Sequence, residues 1–358
     1  MEALFRILII VTFIVIVYYY AGPDVTTNGP LEGPNVIQQP ISNNDYPTLI
    51  EDGLMRPEEG LSTYIDESID IVLGTYGYPK RIDKTPFQYD WWIYDDDEQG
   101  FIMFGVADEK IVQVYTNTNM YNVAPYVIGQ SVDDIYRMTI FESEVSVQLD
   151  DNIYLFAMND LDMKSRILVK FKDVYAQLYI DTVTEKLAGI RFLNGQTLVE
   201  HKPYEMQFIG ELIDSSTPSS FAQYEIHKAS AAQLFYLTNI IRSKYGVPTL
   251  VGDSKLNEIA VQKSEMMFVQ NMETQQEESE VPLKDLLNTA EIDYKSADEN
   301  SATAYYDAIE VMHGWLNSKE HRKILLNDTY THVGTGVYMN YYTQIFVEKN
   351  NRNTLATQ

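Results

Sequence analysis

The chain has 358 residues, enough for about two domains of ordinary size. Its 26 lysines and arginines are outnumbered by 52 aspartates and glutamates, which gives a formal net charge of -26. Such a field repels nucleic acids and anionic lipids, so neither is an expected partner. A hydrophobic content of 45% excludes a disordered acidic chain, and the absence of cysteine excludes disulfides, thiolate metal sites and cysteine nucleophiles.

An apolar block lies near the start of the chain and runs from Ile7 to Ala21. It approaches the roughly 20 residues that span a bilayer, and a triple tyrosine at 18–20 stands where interfacial aromatic residues belong. Residues 1–22 are therefore predicted to be a retained signal anchor, with a cleaved signal peptide as the alternative. The expected location is the cell membrane with extracellular domains, or secretion if the signal is cleaved.

Residues 23–60 contain six prolines among glycines, asparagines and acidic residues, with little apolar periodicity. This composition is typical of an extended tether. We expect it to hold the folded part away from the membrane, inside the wall of a bacterium with a single membrane.

Residues 61–214 carry a helix-and-strand pattern that occurs twice, which predicts a duplicated α+β domain built of antiparallel sheets. The turns at 108–110 and 184–186 are predicted to close equivalent hairpins. The first unit has a helix ending at Gly74 and strands at 91–94, 101–104 and 111–115. The second has a helix at 132–136 and strands at 145–149, 153–157, 167–171, 174–180 and 187–193.

Residues 215–223 are a linker by composition, and a further domain is predicted over 224–350, with a tail at 351–358. It begins with a helix over 224–245, which carries leucines and isoleucines at helical spacing and ends at Gly246. Two strands are predicted near its end, at 333–338 and 343–348.

Two sequence motifs carry a family resemblance. Residues 315–322 read Trp-Leu-Asn-Ser-Lys-Glu-His-Arg, and residues 331–337 read Thr-His-Val-Gly-Thr-Gly-Val. The segment 224–350 thereby resembles the bacterial CAP superfamily, the SCP/PR-1-like or cysteine-rich secretory protein family, which implies an α-β-α sandwich. The Leu-Gly-x-Tyr-Gly-x-Pro turn at 73–79 resembles the N-terminal domain that accompanies some CAP domains in Firmicutes.

The resemblance also implies a site. In the superfamily two histidines and two glutamates line a cleft and can bind a divalent metal such as zinc. Glu299 matches one glutamate and His321 the second histidine, whereas Thr274 stands at the first histidine and Ser318 at the other glutamate. These four residues are the predicted binding cleft. One imidazole and one carboxylate are too few for tight zinc binding, so no cofactor is expected, with zinc on Glu299 and His321 as the weak alternative.

Three functions stay open. The favoured one is non-enzymatic binding of a peptide, lipid or wall component in the cleft. The alternative is a peptidase-like hydrolase with His321 as general base or metal ligand, oriented by Glu299. In the third, the N-terminal repeats bind a partner and the CAP domain is a scaffold.

A purely structural interpretation of the cleft residues is also open. Asn300 or Ser301 would cap a helix over 302–317, with Glu299 at its positive end and His321 as the hydrogen-bond partner of Glu299. The other histidines receive no role: His313 lies on that helix, and His201 and His227 are placed in connecting segments.

Overall fold

The computed structural model describes residues 11–12, 24–41, 53–96, 100–215, 217–272 and 281–350. Apart from residues 11 and 12, the predicted anchor at 1–22 lies outside the described residues, as do Thr274 and the tail at 351–358. Within the described ranges, no helix is both long enough and apolar enough to cross a membrane.

The elements follow the chain in this order. The strands are β1 (Asp24–Thr27), β2 (Leu31–Glu32), β3 (Gln38–Pro40), β4 (Arg81–Lys84), β5 (Asp90–Asp96), β6 (Gly100–Ala107), β7 (Lys110–Thr116), β8 (Glu144–Leu149), β9 (Asn152–Ala157), β10 (Arg166–Phe171), β11 (Val174–Asp181), β12 (Lys186–Asn194), β13 (Glu205–Ile209), β14 (Val251–Gly252), β15 (Tyr294–Thr303), β16 (His332–Tyr338) and β17 (Tyr341–Lys349). The helices are α1 (Asp70–Tyr76), α2 (Val132–Met138), α3 (Asp162–Ser165), α4 (Gly195–His201), α5 (Ser220–Lys244), α6 (Ser254–Met272), α7 (Leu283–Thr289), α8 (Ala308–Asn317) and α9 (Lys319–Leu325), with a 3-10 turn at Leu61–Tyr64.

The N-terminal domain is built on one seven-stranded sheet with the order β10-β11-β12-β7-β6-β5-β4. All its neighbouring strands are antiparallel, as predicted. The two predicted units do not form separate sheets, because their last strands, β7 and β12, pair with each other at the centre. The bounds of the predicted strands agree with the structure to within a few residues. Their apolar residues alternate or run continuously, which is typical of half-buried or buried strands.

The duplication is visible in how the first two helices meet their hairpins. The amide of Ile69 donates to the carbonyl of Glu109 at 2.9 Å, and the amide of Val132 donates to the carbonyl of Glu185 at 2.9 Å. Both glutamates have positive φ, 62° and 54°, in the turns that close β6–β7 and β11–β12. Each helix therefore starts against the turn of its own unit's last hairpin.

A smaller sheet with the order β3-β13-β9-β8 completes this domain. Its strand β13 and the helix α4 were not predicted from the sequence. His201 ends α4 and is buried, so its predicted place in a connecting segment was wrong. His227 likewise lies inside α5, which starts at Ser220 and takes the last residues of the predicted linker.

The C-terminal domain is an α-β-α sandwich, which confirms the predicted fold class. Its sheet has the order β1-β15-β17-β16-β14, and β2 also pairs with β15. Helices α6 and α7 pack through their leucines on one face, and α5, α8 and α9 cover the other face. The strands predicted at 333–338 and 343–348 are β16 and β17.

Two glycines explain the Val-Gly-Thr-Gly-Val motif. A Cβ atom at Gly334 would lie 2.2 Å from the carbonyl carbon of Leu256, and one at Gly336 would lie 2.1 Å from the nitrogen of Val261. Both distances are shorter than two non-bonded atoms can approach. The motif therefore lets helix α6 approach β16 more closely than any side chain would allow.

The segment 23–60 is not a free tether over its described part. Strand β1 pairs with β15 in parallel, β2 continues along the same strand, and β3 pairs in parallel with β13. Short edge strands with one face in solvent need little apolar periodicity, which is why the composition resembled a spacer. The segment connects the sheets of both domains.

The predicted helix start at residue 302 was also wrong. Residues 294–303 form strand β15, and helix α8 starts at Ala308 with Asp307 as its N-cap, whose carboxylate accepts from the amide of Glu310. Glu299 is therefore in the middle of a strand and not at a helix terminus.

Candidate functional site

Glu299 projects from β15 toward helix α6. Alternation along the strand places it on the same face as Ala297, which packs against α6 and α7. Its Oε2 lies 3.3 Å from the Nζ of Lys263, and the two side chains are 3% and 2% exposed. The carboxylate predicted to line the cleft is thus held in a buried ion pair.

His321 lies in α9 at the outer edge of the same sheet and is 5% exposed. Its Nδ1 is 2.8 Å from the hydroxyl of Ser318, and its backbone carbonyl accepts from the amide side chain of Asn300 at 3.0 Å. Within the described residues its Nε2 has no hydrogen-bond partner of good geometry. The imidazole of His321 contacts the hydroxyl of Ser318. The structural interpretation had predicted Glu299 as its hydrogen-bond partner.

Burial lowers the pKa of His321, and the backbone of Gly29, the charge of Glu320 and the backbone of Ser301 oppose this only in part. The imidazole is therefore neutral at pH 7. The backbone of Gly29 in the N-terminal segment is thus close to the ring.

Ser318 is the residue between α8 and α9 and takes the N-cap position of α9. Glu299 lies in β15 and His321 beside it, but alternation places Glu299 on the α6 face, whereas Asn300, whose side chain contacts His321, points to the other face. Ser318 contacts His321, and Thr274 lies outside the described residues. A metal bound by Glu299 would have to compete with the ammonium group of Lys263 for the carboxylate. Across the part of the chain that the structure describes, no group of three histidine or acidic side chains could hold a metal ion.

An open apolar groove lies elsewhere in the C-terminal domain, between α5 and α6 and above β16. It encloses about 1010 Å³. Phe235, Val261 and Val337 form its apolar wall, and His227 and Glu265 are among its polar groups. The Nε2 of His227 accepts from the amide of Met339 at 2.9 Å, so this ring too is neutral. No sequence motif marks this groove, because β16 is distant in the chain from the two helices that it meets there.

A buried polar network joins the two domains. The guanidinium of Arg191 donates to the carboxylate of Asp307 at 2.6 Å and to the hydroxyl of Tyr306 at 2.6 Å. Arg166 meets Glu310 at 3.2 Å, and Tyr179 donates to the other oxygen of Glu310 at 2.7 Å. Burial raises the pKa of Asp307 despite the opposing charge of Arg191.

His313 belongs to the same interface. Its ring stacks on Tyr179 with centroids 4.2 Å apart, and its Nε2 is 2.9 Å from the hydroxyl of Tyr115. Burial lowers the pKa of His313 to about 3, helped by the charges of Lys244 and Arg191 and opposed by Asp181. It is a core residue that fixes the domains to each other.

Comparisons with known proteins agree with this architecture. The family model described as CAP-associated N-terminal matches residues 65–204, and the one described as cysteine-rich secretory protein family matches residues 235–349. The chain is 36% identical over 293 residues to the uncharacterized membrane protein YlbC of Bacillus subtilis (strain 168), covering 82% of this chain and 85% of that protein.

Two solved structures share the whole fold. An extracellular protein containing a SCP domain from Bacillus anthracis str. Ames has a TM-score of 0.75 and 30% identity, covering 86% of this chain and 99% of that chain. A cysteine-rich secretory protein from Staphylococcus aureus subsp. aureus Mu50 has a TM-score of 0.74 and 26% identity, covering 90% of this chain and 100% of that chain. The two-domain arrangement therefore occurs in solved bacterial relatives.

Proposed function

The chain belongs to the cysteine-rich secretory protein (CAP) family and carries the CAP-associated N-terminal domain, and from this we propose that it is a membrane-attached, extracytoplasmic binding protein. The B. subtilis relative is named a membrane protein and the B. anthracis structure is described as extracellular, which supports the location. Because β1 begins at Asp24, directly after the predicted anchor, the sheet would lie within about 10 Å of the bilayer.

The ion pair of Glu299 and Lys263 is the observation that argues against catalysis in the predicted cleft, and so favours binding. A general base or a metal-binding carboxylate must be able to reach a substrate or an ion. Here the carboxylate is buried against an ammonium group at 3.3 Å. His321, its predicted partner in catalysis, is buried. This arrangement favours a structural role for both residues.

The same pair argues against zinc. Zinc sites in proteins have three or four protein ligands, and the family pattern supplies Glu299 and His321 alone. An ammonium group beside Glu299 would repel the cation. When zinc is titrated into the protein in a calorimeter, we expect no binding heat that disappears in the matched variant His321→Ala. Micromolar binding lost in that variant would revive the metal hypothesis.

The groove between α5 and α6 is the surface that we propose for the ligand. Its volume of about 1010 Å³ is at the upper end of small-molecule sites, and its apolar walls with a few polar groups are typical of such sites. An acyl chain or the apolar face of a peptide from the wall would bury these walls. Glu265 and the neutral His227 would then orient polar atoms of the ligand.

Ala232 lies in the groove wall and allows a direct test. Full-length protein would be sedimented with purified cell-wall sacculi and titrated with dansyl-undecanoic acid. Ala232→Trp fills the groove and should lower binding of at least one probe tenfold or more. Ala222→Trp, on the same helix and outside the groove, is the control. Equal binding by both variants and the parent would count against the groove.

A hydrolase remains the second candidate because of one contact. The hydroxyl of Ser318 lies 2.8 Å from Nδ1 of a neutral imidazole, the arrangement from which serine nucleophiles are activated. A fluorophosphonate probe tests it directly. Labelling of the full-length protein that disappears in both Ser318→Ala and His321→Ala would establish a nucleophile. We expect no such labelling, since the imidazole is buried and Ser318 occupies a helix N-cap.

A further inference from the structure

Residues 24–33 run along the outer edge of β15. Strand β1 pairs in parallel with β15 from Asp24 opposite Ser296 to Thr27 opposite Glu299. Strand β2 resumes the pairing with Leu31 opposite Ala302. The other edge of β15 is occupied by β17. Parallel addition of an extended segment to a sheet edge is a general mode of peptide recognition.

Three positions of the segment are fixed by the surface beneath it. Val25 packs on the apolar cluster of α6 and α7, and Leu31 packs on the cluster of α5 and α8. The amide of Gly33 donates to the carbonyl of Thr303 at 2.7 Å, and a Cβ atom there would lie 2.5 Å from the carbonyl oxygen of Ala304. The edge thus selects an apolar residue, a second one six positions later, and a glycine two positions after that.

The chain between these anchors is held less closely. Two residues of β15 lie between the partners of Thr27 and Leu31, whereas three residues of the segment lie between Thr27 and Leu31 themselves. The backbone of the segment therefore leaves the edge at Asn28 and Gly29. A Cβ atom at Gly29 would have nothing within 4 Å. This loosely held turn is the part that lies beside His321.

We propose that the edge of β15 is a strand-addition site for an extended peptide of this pattern, and that residues 24–33 are its resident occupant. The site is distinct from the groove between α5 and α6. Backbone pairing supplies the affinity, and the two apolar positions with the glycine supply the specificity. An occupant on the same chain has an effective concentration in the millimolar range, so a free peptide enters only when the resident strand is weakened.

The test uses a fluorescent peptide with the sequence of residues 24–33 and full-length protein. In fluorescence anisotropy, Gly33→Ala protein should bind the peptide at least tenfold more tightly than the parent, because the added methyl group expels the resident strand. Gly29→Ala protein, with the same substitution in open space, should behave as the parent. A peptide carrying Leu31→Asp should not bind. Failure of the Gly33→Ala protein to bind the peptide, or equal binding of both peptides, would overturn the proposal.

Hydrogen exchange separates release of the strand from unfolding. In Gly33→Ala protein, exchange should accelerate in residues 24–33 and 294–303 and slow again when the peptide is added. Leu31→Ser, a milder change, should give the same pattern. Acceleration throughout β16 and β17, or no recovery with the peptide in either variant, would contradict a strand-addition site.

Discussion

Lys263 and Glu299 form an ion pair in the interior of the C-terminal sandwich, with 3.3 Å between Nζ and Oε2 and neither side chain more than 3% exposed. Lys263 comes from α6 and Glu299 from β15, so the pair connects a helix layer to the sheet at the position where the family resemblance implies a metal-binding cleft. Lys263 places an ammonium group beside the carboxylate that the resemblance assigns to that cleft.

The first prediction concerns this pair. Lys263→Met should lower the free energy of unfolding by about 3 kcal/mol, because it leaves a buried carboxylate without its ammonium partner. The double variant Lys263→Met, Glu299→Gln should lose clearly less, since no buried charge then remains at the pair. Urea unfolding at pH 7 measures both. Lys228→Met is the control, because its ion pair with Glu225 is solvent-exposed, and it should change stability by less than about 1 kcal/mol. Equal losses in the single and double variants would show that the two charges are not coupled.

The residues that sequence patterns predicted share one property, which is that their signal is local. The strands of the N-terminal sheet and the Val-Gly-Thr-Gly-Val strand follow from apolar alternation and from glycines within a few residues of each other. Arg191 and Asp307 are 116 residues apart, so nothing local marks them as partners. Lys263 and Glu299 come from different elements, so their pairing has no local signal either. Asn300 and Ser301 were predicted as helix caps, but both lie in strand β15. The backbone carbonyl of Ser301 accepts from the indole of Trp315 at 3.2 Å.

The second prediction concerns the glycines of β16. Gly336→Ala should destabilise the protein by about 2 kcal/mol or more, because the new methyl group would overlap the backbone of α6 at Ala260 and Val261. Gly74→Ala is the matched control. Its position in α1 has nothing within 4 Å of a Cβ atom, so it should stabilise the helix by about 0.5 kcal/mol. Thermal unfolding of both variants checks the sign, and a neutral Gly336→Ala would mean that α6 can move away.

The third prediction is a pH dependence from His313. Its pKa is lowered to about 3 in the folded protein, whereas the unfolded chain titrates near the ordinary value of 6.5. Below pH 6.5 the unfolded state therefore binds the extra proton, and stability is lost as the pH falls. Between pH 7.5 and 5 this histidine should account for about 2 kcal/mol of that loss. His313→Gln should lose less stability than the parent over the same interval in urea unfolding. Parallel pH profiles would show that His313 is not the group responsible.

The last prediction concerns the coupling of the two domains. One apolar cluster contains Trp91 and Tyr179 of the N-terminal domain together with Ile309 and Trp315 of the C-terminal domain. Because the domains share a core, calorimetry should record a single unfolding transition. Arg191→Met leaves Asp307 buried without its guanidinium partner and should cost about 3–5 kcal/mol.

If the network couples the domains, that variant should also unfold in two separate transitions. Arg137→Met provides the control, since Arg137 pairs with Asp134 at the surface with side chains 75% and 55% exposed. It should shift stability by less than about 1 kcal/mol and keep one transition. Two transitions in the parent protein would mean that the shared core does not make the domains one cooperative unit. The interface would then be a contact between independently stable domains.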